Sequence, residues 1–457
     1  MNFRKLCLGG LLLAMTLGMA WPAGAAGLKI VSTPSTALYG EPFNWKVTGL
    51  KPGERVTVKA SSRDTRMNVW TSEAVYEADS SGTVDLERQA PLSGSYEGAD
   101  IFGLLWSMKP AKADPKKPIA YRGDGTNGWM VDLTATTSEG TAVQTRFRCV
   151  YQKPGEALVR VPLEQDGLRG FLYYPAKGES FPGVIIVSGS EGGLFEGWAR
   201  ALASNGFAAL TLAWFNYQGL PDELVEIPVE YFDRAAAWMQ AQPKVKPGGL
   251  GLVGGSKGGE AALLAASRNK AFRAVAALTP AAHMWEGHTL RFFSPDYKPV
   301  SSWSLGGKPT PFITFKVTPQ DKEKEMKGEL ESFVFFFRDG LAKEDPARVA
   351  QAAIPVENIN GPIFLVSGTD DRIWPAGDFC EIIKARLIQA GFPHEVKHLS
   401  IEGGGHSSVM PFLITANRGL LIDGDPSGGS PKADAHGGYR SWSEMLAFLH
   451  RHLDRLK

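Results

Sequence analysis

The sequence predicts a multidomain chain: an all-β sandwich followed by an α/β domain with a mostly parallel sheet. Three observations carry that prediction. Up to about residue 151, short alternating or β-rich runs are cut by Gly, Pro and Asn/Asp turn signals. Beyond Pro154-Gly155, fully apolar runs ending in small residues alternate with amphipathic segments. One of those runs leads into Gly-x-Ser-x-Gly and then a helix former-rich stretch.

The bulk properties exclude several classes. With 49 Lys+Arg against 48 Asp+Glu, a net charge of +1 leaves no basic surplus for a nucleic-acid partner. The 24 Phe, 12 Trp and 11 Tyr are too many for a disordered chain. Several long apolar runs, the mark of an integral membrane protein, are missing from a sequence that is 43% hydrophobic. At 457 residues, two domains can each bury a core.

Residues 1–25 read as a signal peptide. Arg4 and Lys5 give a positive start, residues 8–20 an uncharged apolar stretch shorter than the ~20 residues of a span, and Ala23-Gly24-Ala25 a cleavage pattern. The chain is therefore expected to be exported, periplasmic or secreted, with no stable membrane insertion after cleavage. Cys7 precedes the apolar stretch, so it is not placed as a lipoprotein cysteine. The remaining pair, Cys149 and Cys380, is too far apart in sequence to suggest a disulfide framework and reads as buried small residues.

Residues 27–153 form the first domain. Phe43-Asn44-Trp45-Lys46-Val47, Arg55-Val56-Thr57-Val58-Lys59 and Thr145-Arg146-Phe147-Arg148-Cys149-Val150-Tyr151 are strand patterns, and Lys51-Pro52-Gly53-Glu54 is a turn. No long amphipathic helix interrupts them. Several short strands over that length fit an antiparallel sandwich, and no cluster of titratable groups marks a catalytic site there.

Residues 156–457 form the second domain. A hairpin-like stretch (158–174) precedes the buried strand Gly183-Val184-Ile185-Ile186-Val187-Ser188. A helix over 196–205 stops at Gly206, and Phe207-Ala208-Ala209-Leu210-Thr211-Leu212 is the next strand. Residues 229–242 have helical periodicity, and Gly249-Leu250-Gly251-Leu252-Val253-Gly254 is again a strand. From about 283 to 360 the rhythm breaks, which suggests an insertion or cap.

The chemistry centres on Gly254-Gly255-Ser256-Lys257-Gly258, placed between that strand and a helix. A nucleophilic serine on such a turn is held in a strained conformation that projects its hydroxyl above the sheet, and the flanking glycines let strand and helix approach. The run lacks the Gly-Lys-Ser/Thr end of a phosphate loop. A serine nucleophile needs a base and an orienting acid, which follow it in the order acid, histidine. The acid belongs at the end of the later strand Gly361-Pro362-Ile363-Phe364-Leu365-Val366-Ser367-Gly368, where Asp370 and Asp371 both stand. Asp371 is preferred for its Gly-x-x-Asp-x-x-x-Pro spacing, with Asp370 left to cap the following turn. Gly403-Gly404-Gly405-His406 supplies the base; His394 and His398, on or beside a strand, read as surface or packing residues.

Two backbone donors are needed for the oxyanion. The Lys257 amide directly follows the nucleophile, and the loop Ser188-Gly189-Ser190-Glu191-Gly192-Gly193 supplies the second, with Ser190 preferred and Glu191 or Gly192 as alternatives. Glu191 and Glu260 read as solvated or capping groups. His283 and His288 read as structural, and neither a metal nor a bound cofactor is expected.

These residues resemble the acyl-CoA thioesterase and bile acid-CoA:amino acid N-acyltransferase family. The match runs through Ser256-Lys257-Gly258-Gly259-Glu260, Gly192-Gly193-Leu194-Phe195-Glu196, Leu212-Ala213-Trp214-Phe215-Asn216-Tyr217, Glu230-Tyr231-Phe232 and Gly368-Thr369-Asp370-Asp371-Arg372-Ile373-Trp374. The first domain adds the block from Gly94-Ser95-Tyr96 to Met108-Lys109-Pro110, and Trp442 with residues 448–453 fits near the end. The resemblance implies an immunoglobulin-like domain packed on an α/β-hydrolase domain. It also implies an acyl thioester as the small-molecule substrate. Family members with serine lean toward hydrolysis and those with cysteine toward transfer to an amine, because a serine oxyester aminolyses less readily than a thioester. Transfer to an amino acid is the alternative, as is an exported carboxylesterase with a non-CoA substrate, since family members act on CoA thioesters inside cells. A third reading is a binding module that keeps the fold without the chemistry; the intact serine, acid and histidine in order speak against it. Oligomeric state is not legible.

Overall fold

The computed structural model describes residues 27–112, 119–289, 297–410 and 426–454. The export segment lies outside the described residues.

The N-terminal strands are β1 (Lys29–Thr33), β2 (Thr36–Leu38), β3 (Asn44–Thr48), β4 (Arg55–Arg63), β5 (Val69–Glu77), β6 (Thr83–Asp85), β7 (Ser93–Gly94), β8 (Lys109–Pro110), β9 (Trp129–Thr137) and β10 (Ala142–Val150). They make two sheets. One has the order β1-β3-β6; the other runs β2-β10-β9-β4-β5-β7, with β8 also on β5. Strict alternation dictates this arrangement. In β4 the side chains of Val56, Val58, Ala60 and Ser62 turn inward while Arg55, Lys59 and Arg63 face out. Aromatic residues fill the space between the sheets, with Phe43, Trp45 and Phe147 in mutual ring contact. A single short helix, α1 (Gly103–Trp106), interrupts the described part of this region.

The second sheet system has eight strands in the order β11-β12-β14-β13-β16-β17-β20-β21. In chain order these are β11 (Leu158–Leu163), β12 (Arg169–Pro175), β13 (Phe181–Val187), β14 (Ala208–Ala213), β16 (Val245–Gly255), β17 (Phe272–Leu278), β20 (Ile363–Gly368) and β21 (Val396–Ile401). From β14 onward the pairs are parallel; β12 is antiparallel to both of its neighbours. The parallel strands read as continuous apolar runs because both faces are covered. Val184 and Ile186 turn to α2 (Glu196–Ser204) and α9 (Pro431–Leu453). Ile185 and Val187 turn to α3 (Glu230–Gln240), α4 (Lys257–Arg268) and α8 (Ala376–Gln389). The α2/α9 layer is continuous with the core of the N-terminal sheets, so the two regions share one apolar body.

The stretch 283–360 is more regular than its sequence suggests. It contains β18 (Trp303–Leu305), β19 (Lys308–Pro309), α5 (Pro319–Met326), α6 (Val334–Lys343) and α7 (Pro346–Ala352). β18 pairs with the short strand β15 (Ile227–Pro228), tying this stretch to the segment before α3. Two of these helices, α5 and α7, start with recognisable caps: Thr318 forms a capping box with Asp321, and Asp345 caps the amide of Ala347. The break in periodicity came from elements too short to show a repeat.

Candidate active site

The register of the sheet brings the carboxyl ends of several strands to one edge. Val187 stands opposite Gly254, Gly255 opposite Leu278, and Gly368 opposite Ile401. Ser256, which follows β16 directly, has φ 56° and ψ −125°, a conformation in which a residue with a side chain is strained. Surrounding bonds hold it there. Its amide donates to Leu278 O at 2.8 Å, and its carbonyl accepts from the Gly259 and Glu260 amides. The flanking glycines are obligatory for steric reasons. A Cβ on Gly254 would lie 2.0 Å from Gly258 O, and one on Gly258 would lie 2.4 Å from Ser188 O. Both obstacles are backbone. Gly254→Ala is therefore expected to destabilise by at least about 4 kcal/mol, read as loss of soluble protein or a collapsed unfolding midpoint. A midpoint near wild type would show that the turn can open.

His406 and Asp371 meet. His406 Nδ1 and Asp371 Oδ2 are 2.8 Å apart, with side chains 9% and 2% exposed. The other carboxylate oxygen of Asp371 accepts from the amides of Ile373 (2.9 Å) and Trp374 (3.2 Å). Asp371 thus caps the turn that the sequence reading gave to Asp370. Asp370 instead accepts from Arg372 Nε at 3.2 Å and the Gly429 amide at 2.9 Å. His406 opens a 3₁₀ turn (His406–Val409), and its amide donates to Ser427 O. The Trp374 ring stands edge-on to the imidazole, 6.0 Å between centroids, and its Nε1 donates to Thr279 O. Thr279 follows Leu278, the residue that anchors the Ser256 amide, so one two-residue segment ties the histidine wall to the serine turn. Among the described residues no hydrogen bond joins the Ser256 hydroxyl to His406. Such bonds are often long before a substrate is bound.

The loop after β13 lies against the serine turn: a Cβ on Gly189 would touch Ser256 Cβ at 3.4 Å. The amides of Gly192 and Gly193 are already engaged, with Gly189 O and Phe215 O. Gly192 therefore drops out as an oxyanion donor. Asn216 Nδ2 clamps the loop through Glu191 O. Among the described residues no acceptor engages the amides of Ser190 or Lys257, and Lys257 opens α4, where amides have no partner within the helix.

One carboxylate behaves differently from the sequence reading. Glu260 is neither solvated nor a cap. It is completely buried and paired with the Lys257 ammonium, with Nζ 2.9 Å from Oε2 and 3.1 Å from Oε1. Burial pushes the Lys257 ammonium below its usual range, against the attraction of Glu260. Nearby, burial pushes Glu286 up to about 7 although the Phe315 amide and the Tyr297 hydroxyl donate to it. His398, a rejected candidate for the base, turns to Ser367 Oγ (2.9 Å) and Glu381. His283 is buried, which drives its pKa down to about 4. Cys149 and Cys380 are buried free thiols.

Sequence reasoning missed Asp434. Ser430-Pro431 announces a helix start, which would have placed Asp434 in its first turn. The carboxyl is buried beneath the histidine loop. Oδ1 accepts from the Gly405 amide at 2.8 Å, while Oδ2 has no partner among the described residues. Burial first, then the charges of Asp370 and Asp371, push its pKa up to about 7. A carboxyl raised above its unfolded value near 4 stabilises the fold below that pH and loses the contribution as pH rises to about 7. Asp434→Asn mimics the neutral acid and keeps the bond to Gly405. It is expected to raise the melting temperature by several degrees at pH 8 and to leave it nearly unchanged at pH 4–5, as measured by calorimetry across pH. An equal shift at both pH values would contradict that assignment.

The chain is similar to known proteins along most of its length. A family model described as "Acyl-CoA thioester hydrolase/BAAT N-terminal region" matches residues 40–161, and one described as "BAAT / Acyl-CoA thioester hydrolase C terminal" matches residues 227–455. Human mitochondrial acyl-coenzyme A thioesterase 2 is 29% identical over 442 residues, covering 94% of this chain and 86% of that protein. Human acyl-coenzyme A thioesterase 1 is 29% identical over 438 residues, covering 94% and 97%. Mouse acyl-coenzyme A amino acid N-acyltransferase 1 is 30% identical over 441 residues, covering 93% and 98%.

Proposed function

We propose that this chain, which belongs to the acyl-CoA thioester hydrolase/BAAT family, hydrolyses an acyl thioester through an acyl-Ser256 intermediate. The observation that supports this best is the strained Ser256 turn at the sheet edge where the His406–Asp371 pair also stands. In the first half-reaction Ser256 Oγ attacks the thioester carbonyl while His406 Nε2 takes the hydroxyl proton. Asp371 holds Nδ1–H, which fixes the tautomer and stabilises the imidazolium. The Lys257 and Ser190 amides receive the negative charge on the carbonyl oxygen. The carbon–sulfur bond then breaks, and the thiol leaves with the proton from His406. In the second half-reaction water replaces the thiol. His406 takes a proton from it, the oxyester breaks, and Ser256 regains its proton as the acid departs.

The acyltransferase relative motivates a second reading, in which an amine replaces water. The serine argues for hydrolysis, because an oxyester intermediate reacts less readily with amines than a thioester would. The segment Arg4-Lys5, the apolar stretch behind it and Ala23-Gly24-Ala25 support export of the mature chain, which would favour a thioester or ester outside the cytoplasm. No helix among the described residues is long and apolar enough to cross a membrane.

The deciding experiment measures thiol release from a panel of acyl-CoAs beside p-nitrophenyl ester cleavage, for the wild-type chain and Ser256→Ala. Serine-dependent thiol release, reduced at least about 10⁴-fold in the variant, is expected. Product analysis with glycine or taurine present should give free acid. An N-acyl amino acid would establish transfer instead, and turnover unchanged in Ser256→Ala would sink the mechanism.

A further inference from the structure

Helix α9 touches the N-terminal sandwich with one set of side chains and the histidine loop with another. Toward the loop it presents Asp434, Gly437 and Ser441. Asp434 Oδ1 accepts from the Gly405 amide, a Cβ on Gly437 would collide with Ile401 at 2.6 Å, and Ser441 Oγ reaches Ser408 O at 3.5 Å. Toward the sandwich it presents His436, Tyr439 and Trp442. His436 Nε2 stands 2.9 Å from Asp100 Oδ2, Tyr439 packs on the Phe102 ring, and Trp442 is wedged between Tyr39 and Trp198. Positions three and four apart on a helix share a face, so these two sets form two stripes of one rigid rod.

The sandwich end of this connection is built rather than incidental. Asp100 has a side chain 2% exposed and is fully engaged: Oδ1 accepts from the Phe102 amide, and Oδ2 from Trp106 Nε1 as well as facing His436. Lys432 stands 4.0 Å from the same oxygen. The His436 ring also lies edge-on to Phe102, at 5.1 Å. A buried carboxylate that reaches across a domain boundary to a helix leaves that helix little freedom to slide or rotate. Two residues before His436, the same helix carries the carboxyl that holds the residue preceding His406.

We infer that the N-terminal sandwich is a positioning element of the active site: Asp100 fixes α9 through His436, and α9 fixes the His406 loop through Asp434. Neither Asp100 nor Asp434 touches the reacting atoms. Their effect is to hold His406 at the height and angle that Ser256 requires, where a displacement near 1 Å costs up to about a hundredfold in rate. The inference rests on the Ser256–His406 reading of the chemistry.

The test uses the whole chain, with kcat and KM for acyl-CoA thiol release expressed per site titrated by a fluorophosphonate. Asp100→Ala and Asp434→Ala should each lose about tenfold in kcat, with KM within about twofold. The double variant should be no slower than the slower single one, because both act through one rod. Asp434→Asn, which keeps the acceptor for Gly405, should recover to within about twofold of wild type. Asp132→Ala, which breaks an exposed sandwich pair with Arg146, should match wild type. His436 is half-exposed, so His436→Ala supplies the same comparison should Asp434→Ala fail to fold. Unchanged kcat per titrated site in Asp100→Ala and His436→Ala, with a lowered melting temperature alone, would overturn the inference, as would losses that multiply in the double variant. Turnover that survives Ser256→Ala would instead remove the reading on which it rests.

Discussion

Asp371→Asn is expected to lower kcat by about 10⁴-fold while leaving the fold and KM nearly intact. The reason lies in which atoms the two carboxylate oxygens serve. Oδ1 accepts from the Ile373 and Trp374 amides, and both donors are fixed by the backbone. An asparagine in this place must keep its carbonyl oxygen toward those donors, since turning the amide around would set N–H against N–H. Its NH₂ group then faces His406 Nδ1, where Asp371 Oδ2 stood at 2.8 Å. Nδ1 becomes the acceptor, and the imidazole proton moves to Nε2. A histidine protonated on the side of Ser256 cannot accept the serine proton. The same change at Asp370 disturbs a half-exposed group held by Arg372 and the Gly429 amide, so Asp370→Asn should stay within about twofold of wild type. Thiol-release kinetics on both variants decide the assignment. A larger loss at Asp370 than at Asp371 would transfer the orienting role to Asp370.

The sequence made the order of elements and the serine turn legible, because both depend on local pattern. Continuous apolar runs such as Val184-Ile185-Ile186-Val187 can be read as buried parallel strands without knowing their neighbours, and a turn with glycine on both sides of Gly255-Ser256-Lys257 has few other uses. The choice of Asp371 and His406 followed from chain order and from position at strand ends. What stayed illegible is contact between residues distant in sequence. Glu260 sits four residues after the nucleophile on a helix whose neighbours are small, and nothing local says whether it meets water or Trp285, Trp303 and Lys257. Asp434 and Asp100 are ordinary acids by composition. Their importance comes from α9 lying between two bodies, a property of the tertiary arrangement. The stretch 283–360 was hard for another reason: its strands are two or three residues long, below the length at which alternation can be recognised.

The Lys257–Glu260 pair gives the second large expected effect, and it falls on stability. Lys257→Met should destabilise the chain by about 3–5 kcal/mol, because it strands a buried carboxylate rather than deleting a surface contact. The ammonium places its donors on both Glu260 oxygens and on Ser302 Oγ, the last at 2.8 Å. Glu260 Oε1 also accepts from Trp303 Nε1 at 2.7 Å and from the Trp285 amide at 3.2 Å. With the ammonium gone, those two neutral donors remain against a full negative charge in an apolar setting. Removing both charges in Lys257→Met/Glu260→Gln should cost less than the sum of the single changes. Denaturant unfolding of the three variants tests this, and strictly additive losses would refute it. The pair also reaches the chemistry. Trp303 stacks on Trp214 at 5.2 Å, and Trp214 Nε1 donates to Ser188 Oγ at the base of the loop that carries Ser190. The residue whose amide would receive the oxyanion is therefore joined, through its own side chain, to the loop that supplies the second donor. A loss of kcat in Lys257→Met that persists where the protein remains folded would follow from that connection.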